Sequence, residues 1–177
     1  MSRAKTWLLA AACMLALVAA LAAQARAGSY TWTTGGPEGG MTRAIAASPN
    51  YANDNTVFLA AEKRGVFKST DRGTTWQYSS TGMGNADTRW LAISPNYAND
   101  QTLFASTIGL GVYRSTNGGA SWRQINTGLT SGEVWKVVLS PQFPTDRIVF
   151  AATDTQGVFR STNGGDSWVR SSAGMTL

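Results

Sequence analysis

Four acidic residues lie in the segments where this 177-residue chain is most variable between its repeated units: Glu62, Asp87, Glu133 and Asp154. Two carboxylates at a set separation are the minimum equipment for hydrolysing a glycosidic bond, one as acid, the other as base or nucleophile. Any two of the four could make such a pair, and the sequence selects none. The chain has no histidine, which removes His-dependent triads, the commonest metal ligand and the usual proton carrier near neutral pH. What remains looks like binding equipment. Lys63 and Arg64 follow Glu62, Arg89 precedes Trp90, and Trp135 follows Glu133 by two positions. An aromatic face flanked by charge stacks on a sugar ring or a peptide and hydrogen-bonds its edges. The candidate contact residues are therefore Glu62, Lys63, Arg64, Arg89, Trp90, Glu133, Trp135 and Asp154. No catalytic residue, metal site or cofactor is assigned. The competing reading of Trp90 and Trp135 is that they fill space inside the fold.

The first 27 residues stand apart. Arg3 and Lys5 open the chain, Thr6 to Ala23 is almost wholly apolar, and Ala25-Arg26-Ala27 forms a small-residue cleavage site. This is the pattern of a secretory signal peptide, with Gly28 as the new N-terminus and residues 28–177 as the exported domain. The apolar run, about 18 residues, sits at the lower limit for spanning a bilayer, so an uncleaved membrane anchor is the alternative. Lipidation at Cys13 fits poorly, since apolar residues rather than a polar tether follow it. Export points to an extracellular or periplasmic location. Cleavage also changes the charge. The full chain has 15 basic and 10 acidic residues, net +5. Arg3, Lys5 and Arg26 leave with the leader, so 12 basic residues face 10 acidic ones and the balance falls to +2. A nucleic-acid partner loses its electrostatic support. Cys13 is the only cysteine, so the exported domain is held by packing without disulfides.

The rest of the chain is a repeat. Ser48-Pro49, Ser94-Pro95 and Ser140-Pro141 recur every 46 residues, as do Phe58, Phe104 and Phe150, and Trp76, Trp122 and Trp168. The segments Ser48–Trp76 and Ser94–Trp122 agree at 15 of 29 positions, and Ser94–Trp122 and Ser140–Trp168 at 16 of 29, without a gap. Chance does not produce this. Each unit reads as four short strands, in the first copy Arg43–Ala47, Thr56–Ala61, Gly65–Ser69 and Thr75–Ser79. The segment Ser48–Asn55, rich in Asn, Asp and Pro, reads as a turn without helical period. Asp71-Arg72-Gly73 and its equivalents supply residues that tolerate positive φ in a tight hairpin. A period of 40–50 residues with four strands per unit predicts an all-β fold of β-propeller blades, here over residues 41–83, 87–129 and 133–175, with a lone strand at 29–33.

The octet Ser69-Thr-Asp-Arg-Gly-Thr-Thr-Trp76 returns as Ser115-Thr-Asn-Gly-Gly-Ala-Ser-Trp122 and Ser161-Thr-Asn-Gly-Gly-Asp-Ser-Trp168. These octets resemble the Asp-box, or BNR repeat, with Asp71, Asn117 and Asn163 at its acidic position, Gly73, Gly119 and Gly165 at its glycine, and Trp76, Trp122 and Trp168 at its tryptophan. The resemblance covers about residues 30–175. It implies a propeller, structural roles for those nine residues, and a spread of functions: sialidases, xyloglucan-type glycosidases, sortilin-type receptors and photosystem II assembly factors. A sialidase-like site would need three arginines together. Arg43 and Arg89 align in phase, but the third copy has Trp135 there.

Propellers close with four to eight blades, and three occupy this sequence. Three readings stay open: a chain that continues into a larger six- to eight-bladed propeller, two chains pairing into a six-bladed ring as a homo-oligomer, and an open stack. In-phase residues such as Asp54, Asp100 and Asp146, or Lys68, Arg114 and Arg160, are expected to serve the fold. Function is expected where the repeat breaks: the loops 62–64, 108–110 and 154–156, and the links 84–88 and 130–133. These observations favour an exported, non-catalytic module that binds a protein or glycan through its variable loops, with a piece of a glycoside hydrolase as the alternative. No membrane contact is expected beyond the leader.

Overall fold

The computed structural model describes residues 41–175. The leader, its cleavage site and the lone strand 29–33 lie outside the described residues. Among those described, no helix is long and apolar enough to cross a membrane.

The described residues form three four-stranded antiparallel sheets, each in sequential order. The first holds β1 (Thr42–Ala47), β2 (Val57–Ala61), β3 (Gly65–Ser69) and β4 (Gln77–Tyr78). The second holds β5 (Asp87–Ile93), β6 (Leu103–Ile108), β7 (Gly111–Ser115) and β8 (Arg123–Gln124). The third holds β9 (Val134–Leu139), β10 (Val149–Thr153), β11 (Val158–Ser161) and β12 (Val169–Arg170). β1 lies against β5 and β5 against β9, so the first strand of each sheet faces the common axis. These are the blades of a β-propeller.

Two local expectations need correction. Ser48–Asn55 is not simply a turn. It contains one helical turn, α1 (Tyr51–Asp54), repeated as α2 (Tyr97–Asp100) and α3 (Phe143–Asp146). A single turn has no period for a sequence to display. It is closed by Ser48, whose hydroxyl donates to the Asp54 carboxylate at 2.6 Å and accepts from Asn50 N–H at 3.0 Å. Asn55 ends it in the left-handed region at φ 50°. The fourth strand is also shorter than Thr75–Ser79, because Thr75 is consumed by the preceding turn, where its N–H and hydroxyl both bond Asp71.

That turn shows why the octet recurs. Ser69 Oγ accepts from Gly73 N–H at 2.8 Å and donates to Asp71 at 2.7 Å. Asp71 accepts from Thr75 N–H at 2.9 Å and from its hydroxyl at 2.6 Å. The hydroxyl bond from Thr75, its N–H and the Ser69 hydroxyl pull the carboxyl pKa down to about 2. Asn117 and Asn163 substitute without loss. Their Oδ1 accepts the same backbone N–H, from Ser121 and Ser167 at 2.9 Å each, and the second arm reverses, Nδ2 donating to the serine hydroxyl.

The core sits at the joints between blades. Phe58, Ala60 and Val66 of the first blade pack with Leu91, Tyr97 and Trp122 of the second. Phe104, Val112 and Ile125 of the second pack with Val134, Phe143 and Trp168 of the third. Each joint repeats four contacts. A phenylalanine meets the ring of the next helical turn edge to face, Phe58 on Tyr97 at 5.8 Å and Phe104 on Phe143 at 5.5 Å. The next blade's tryptophan Nε1 donates to a carbonyl of the blade before, Trp122 to Ser79 at 2.7 Å and Trp168 to Ile125 at 2.6 Å. Its backbone N–H does likewise, to Thr81 and Thr127 at 2.8 Å each. A basic side chain reaches across to a glycine carbonyl, Lys68 to Gly118 and Arg114 to Gly164. Burial lowers the Lys68 pKa, partly offset by the charge of Asp54.

Candidate site at the rim of the inner strands

Antiparallel pairing decides which loops share an edge. Thr42 lies opposite Ala61, Asp87 opposite Ile108, and Val134 opposite Thr153. The start of each inner strand is thus beside the turn joining the second and third strands of its blade. The segments that break the repeat gather on this edge, and the helical turns occupy the other.

Each inner strand carries a bulge here. The register slips between Thr42 and Ala44 in β1, between Thr88 and Trp90 in β5, and between Ala152 and Thr153 on the partner of β9. The extra residues are Arg43, Arg89 and Trp135, in phase with one another. A bulge re-aims the side chain it carries. Each of these three finds a carboxylate. Arg43 pairs with Glu62 from the neighbouring turn. Arg89 pairs with Asp87 at 2.7 Å, both side chains 16% exposed. Trp135 donates from Nε1 to Asp154 at 3.1 Å. The second arm of the Arg89–Asp87 fork, Nε and Oδ1, is buried and unpaired among the described residues.

The blades are linked along this rim by cations over rings. The Arg89 guanidinium lies 5.6 Å from the centre of the Trp135 ring, and Lys136 Nζ lies 4.3 Å from that of Trp90. Position for position, the second blade offers Arg-Trp where the third offers Trp-Lys, so each ring meets a cation from the other blade. Such contacts contribute about 0.5–2 kcal/mol each. The Glu62 pKa is lowered, first by the hydrogen bond from Arg43, against some desolvation, with the charges of Arg43, Arg89 and Lys63 adding to the effect.

Five of the eight residues singled out from the sequence meet here: Glu62, Arg89, Trp90, Trp135 and Asp154. Lys63 and Arg64 do not join them. They line a separate hollow of about 500 Å³ with Phe67, Tyr78 and Asn85, Lys63 taking a left-handed φ of 55°. The Glu133 side chain makes no hydrogen bond among the described residues; its carbonyl accepts from Asp154 N–H at 3.1 Å. The rim adds three residues not chosen from the sequence. Arg43 and Asp87 were visible as an in-phase arginine and an off-repeat acid. Lys136 was not, although its place 46 residues after Trp90 was the available signal. No group of His, Cys, Asp or Glu among the described residues could hold a metal ion.

This arrangement offers fixed hydrogen-bonding pairs beside indole faces, Trp135 being 49% exposed. The Glu62 carboxylate has its pKa lowered by Arg43, and Asp87 is engaged in an ion pair with Arg89.

No protein-family model matches the sequence, and no curated protein matches it. Solved structures do. An ancestral GH74 enzyme shares 28% identity and a TM-score of 0.60 over 74% of this chain and 18% of its own. The GH74 enzyme of Niastella koreensis shares 26% and 0.56 over 73% and 22%. YCF48 from Cyanidioschyzon merolae shares 20% and 0.56 over 75% and 37%, a likeness of fold alone. The chain therefore spans well under half the length of these proteins. Its three blades fit part of a larger β-propeller.

Proposed function

We propose that this chain is an exported, non-catalytic β-propeller module of the Asp-box type that binds a glycan at the rim built by Arg43, Arg89 and Trp135. The observation that carries this reading is the in-phase bulge. It aims a donor from each inner strand at the same edge, holds each with a carboxylate, and leaves indole surface beside them. Sugars are recognised by that combination, ring faces on aromatics and hydroxyls on fixed charged pairs. The likeness to GH74 enzymes at 28% and 26% identity supports a carbohydrate over a peptide. Export rests on the leader Met1–Ala27.

The test is calorimetric titration of the secreted protein with xyloglucan and other β-glucan oligosaccharides. Binding should weaken at least ~10-fold in Trp135→Ala, the ~1.4 kcal/mol expected of an aromatic contact. Absence of binding to any glycan, alongside capture of a peptide at the same rim, would sink the glycan reading.

The GH74 likeness and the three rim carboxylates favour a second reading, a piece of a glycoside hydrolase. The lowered pKa of Glu62 speaks against that residue as the acid, because a general acid must hold its proton near neutral pH. Release of reducing ends by this chain, lost in Asp154→Asn, would establish catalysis instead.

A further inference from the structure

The sequence contains two Asn-Gly pairs, Asn117-Gly118 and Asn163-Gly164, each inside an octet turn, where the first blade has Asp71-Arg72. An asparagine followed by glycine is the dipeptide most open to spontaneous loss of its amide, because no side chain shields the next backbone nitrogen. That nitrogen, once deprotonated, attacks the asparagine Cγ. A five-membered succinimide forms, and Nδ2 leaves as ammonia. Water then opens the ring. Breaking the new Cγ–N bond leaves aspartate. Breaking the original backbone C–N bond leaves isoaspartate, whose main chain runs through Cγ and is one carbon longer.

The native fold holds both reacting groups. Asn117 Oδ1 accepts from the Ser115 hydroxyl and from Ser121 N–H, each at 2.9 Å, while Nδ2 donates to Ser121 Oγ at 2.8 Å. Asn163 repeats this with Ser161 and Ser167. The attacking nitrogens are tied as donors, Gly118 N–H to the Gln101 carbonyl at 3.0 Å and Gly164 N–H to that of Arg147 at 2.8 Å. Closing the ring requires the Asn-Gly peptide to rotate, and the preceding blade clamps the segment that must move. Lys68 holds the Gly118 carbonyl at 3.1 Å, the Ser79 hydroxyl holds that of Gly119 at 2.8 Å, and Arg114 holds that of Gly164 at 2.6 Å. All four octet glycines here are buried.

The two products differ in fit. Asp71 shows that aspartate satisfies this turn, accepting the Thr75 N–H and hydroxyl. Isoaspartate pushes an extra carbon into a backbone that has no room to shift, since even a Cβ on Gly119 would come 3.1 Å from Phe58, and one on Gly165 3.3 Å from Phe104. We infer that Asn117 and Asn163 are deamidation sites gated by the two blade joints, and that the fold readmits the aspartyl product and rejects the isoaspartyl one. Each conversion adds a negative charge and installs the acid that the first blade already carries.

The purified chain is incubated in mildly alkaline buffer, with and without urea above its unfolding midpoint, and both octets are followed by peptide mapping. Conversion in buffer should be at least ~10-fold slower than in urea, as for any reaction that proceeds only through an opened form. Lys68→Met, which releases the Gly118 carbonyl, should speed conversion at Asn117 and leave Asn163 at the wild-type rate. Ser79→Ala, which releases the Gly119 carbonyl, gives the same readout should the first variant not fold. When chains converted in urea are refolded, the folded fraction from a sizing column should hold aspartate, with isoaspartate, detected by enzymatic methylation, left in the misfolded fraction. Asn117→Asp should melt within about 1 °C of the wild type at neutral pH. Native conversion as fast as in urea, or a variant that speeds both sites equally or neither, overturns the gating. Isoaspartate entering the folded fraction in the proportion formed, or a loss of several degrees in Asn117→Asp, overturns the selection between products.

Discussion

Three glycines in equivalent turns separate backbone strain from joint packing. Gly73, Gly119 and Gly165 have φ of 86°, 87° and 91°, so an alanine incurs the same left-handed strain at each, about 1–2 kcal/mol. Their surroundings differ. A Cβ on Gly73 would meet only the Trp76 ring of its own turn at 3.5 Å, an ordinary contact. On Gly119 it would meet Ser79 Oγ at 2.5 Å and Phe58 at 3.1 Å. On Gly165 it would meet Ile125 Cδ1 at 2.4 Å and Phe104 at 3.3 Å. Ser79 Oγ ends a short side chain that can rotate away. Ile125 is buried in the second core cluster and has less room. Crowding of this kind adds about 1–3 kcal/mol. Gly73→Ala should therefore lose about 1–2 kcal/mol, and Gly165→Ala about 2–5 kcal/mol, with Gly119→Ala between them. For a chain of this size, ~1 kcal/mol moves the melting midpoint by ~2–4 °C, so Gly165→Ala should melt several degrees below Gly73→Ala by scanning calorimetry. Equal losses at all three positions would refute the claim that the joint, rather than the turn, makes the glycine necessary.

Two further outcomes follow from the same hydrogen-bond geometry. Asp71 has its pKa lowered from 3.8 to about 2, so its contribution to stability is present above pH ~4 and is lost as the pH falls through ~2. Melting curves between pH 5 and pH 2 should therefore flatten in Asp71→Asn, which adopts the uncharged turn of the other two blades, and an unchanged pH dependence would show that the carboxylate is not the titrating group. Ser80 Oγ is the acceptor for the buried N–H of Val66 and donates to the Val66 carbonyl at 2.8 Å; Ser80→Ala should cost about 1–3 kcal/mol by stranding that N–H, and urea unfolding at the wild-type midpoint would contradict it.

The division between what could be read and what could not follows the range of the interactions. The octet turn closes within eight residues, through bonds from Thr75 N–H to Asp71 and from Gly73 N–H to Ser69 Oγ. Such contacts are written into residue type and spacing, so the turns, the strands around them and the blade unit were legible from the sequence. The helical turn in each blade was not, since four residues are too few for any periodicity, and the fourth strand was overestimated because its first residue is drawn into the turn.

The rim belongs to the other kind. Arg43 meets Glu62 and Trp135 meets Asp154 from 19 residues away, while Arg89 and Lys136 reach the rings of different blades, 46 residues along the chain. A list of off-repeat residues could name most members of this set, but it also named Lys63 and Arg64, which line a separate hollow, and Glu133, whose backbone carbonyl rather than its side chain is bonded among the described residues. The bulge made the selection. One extra residue in each inner strand re-aimed Arg43, Arg89 and Trp135 toward a common edge, and strand register is a property of paired backbones rather than of composition. The sequence by itself determined three copies of a blade and the chemistry of their turns. Only the tertiary structure decided which charges meet and which rings they cover, because those facts depend on how one sheet packs against the next.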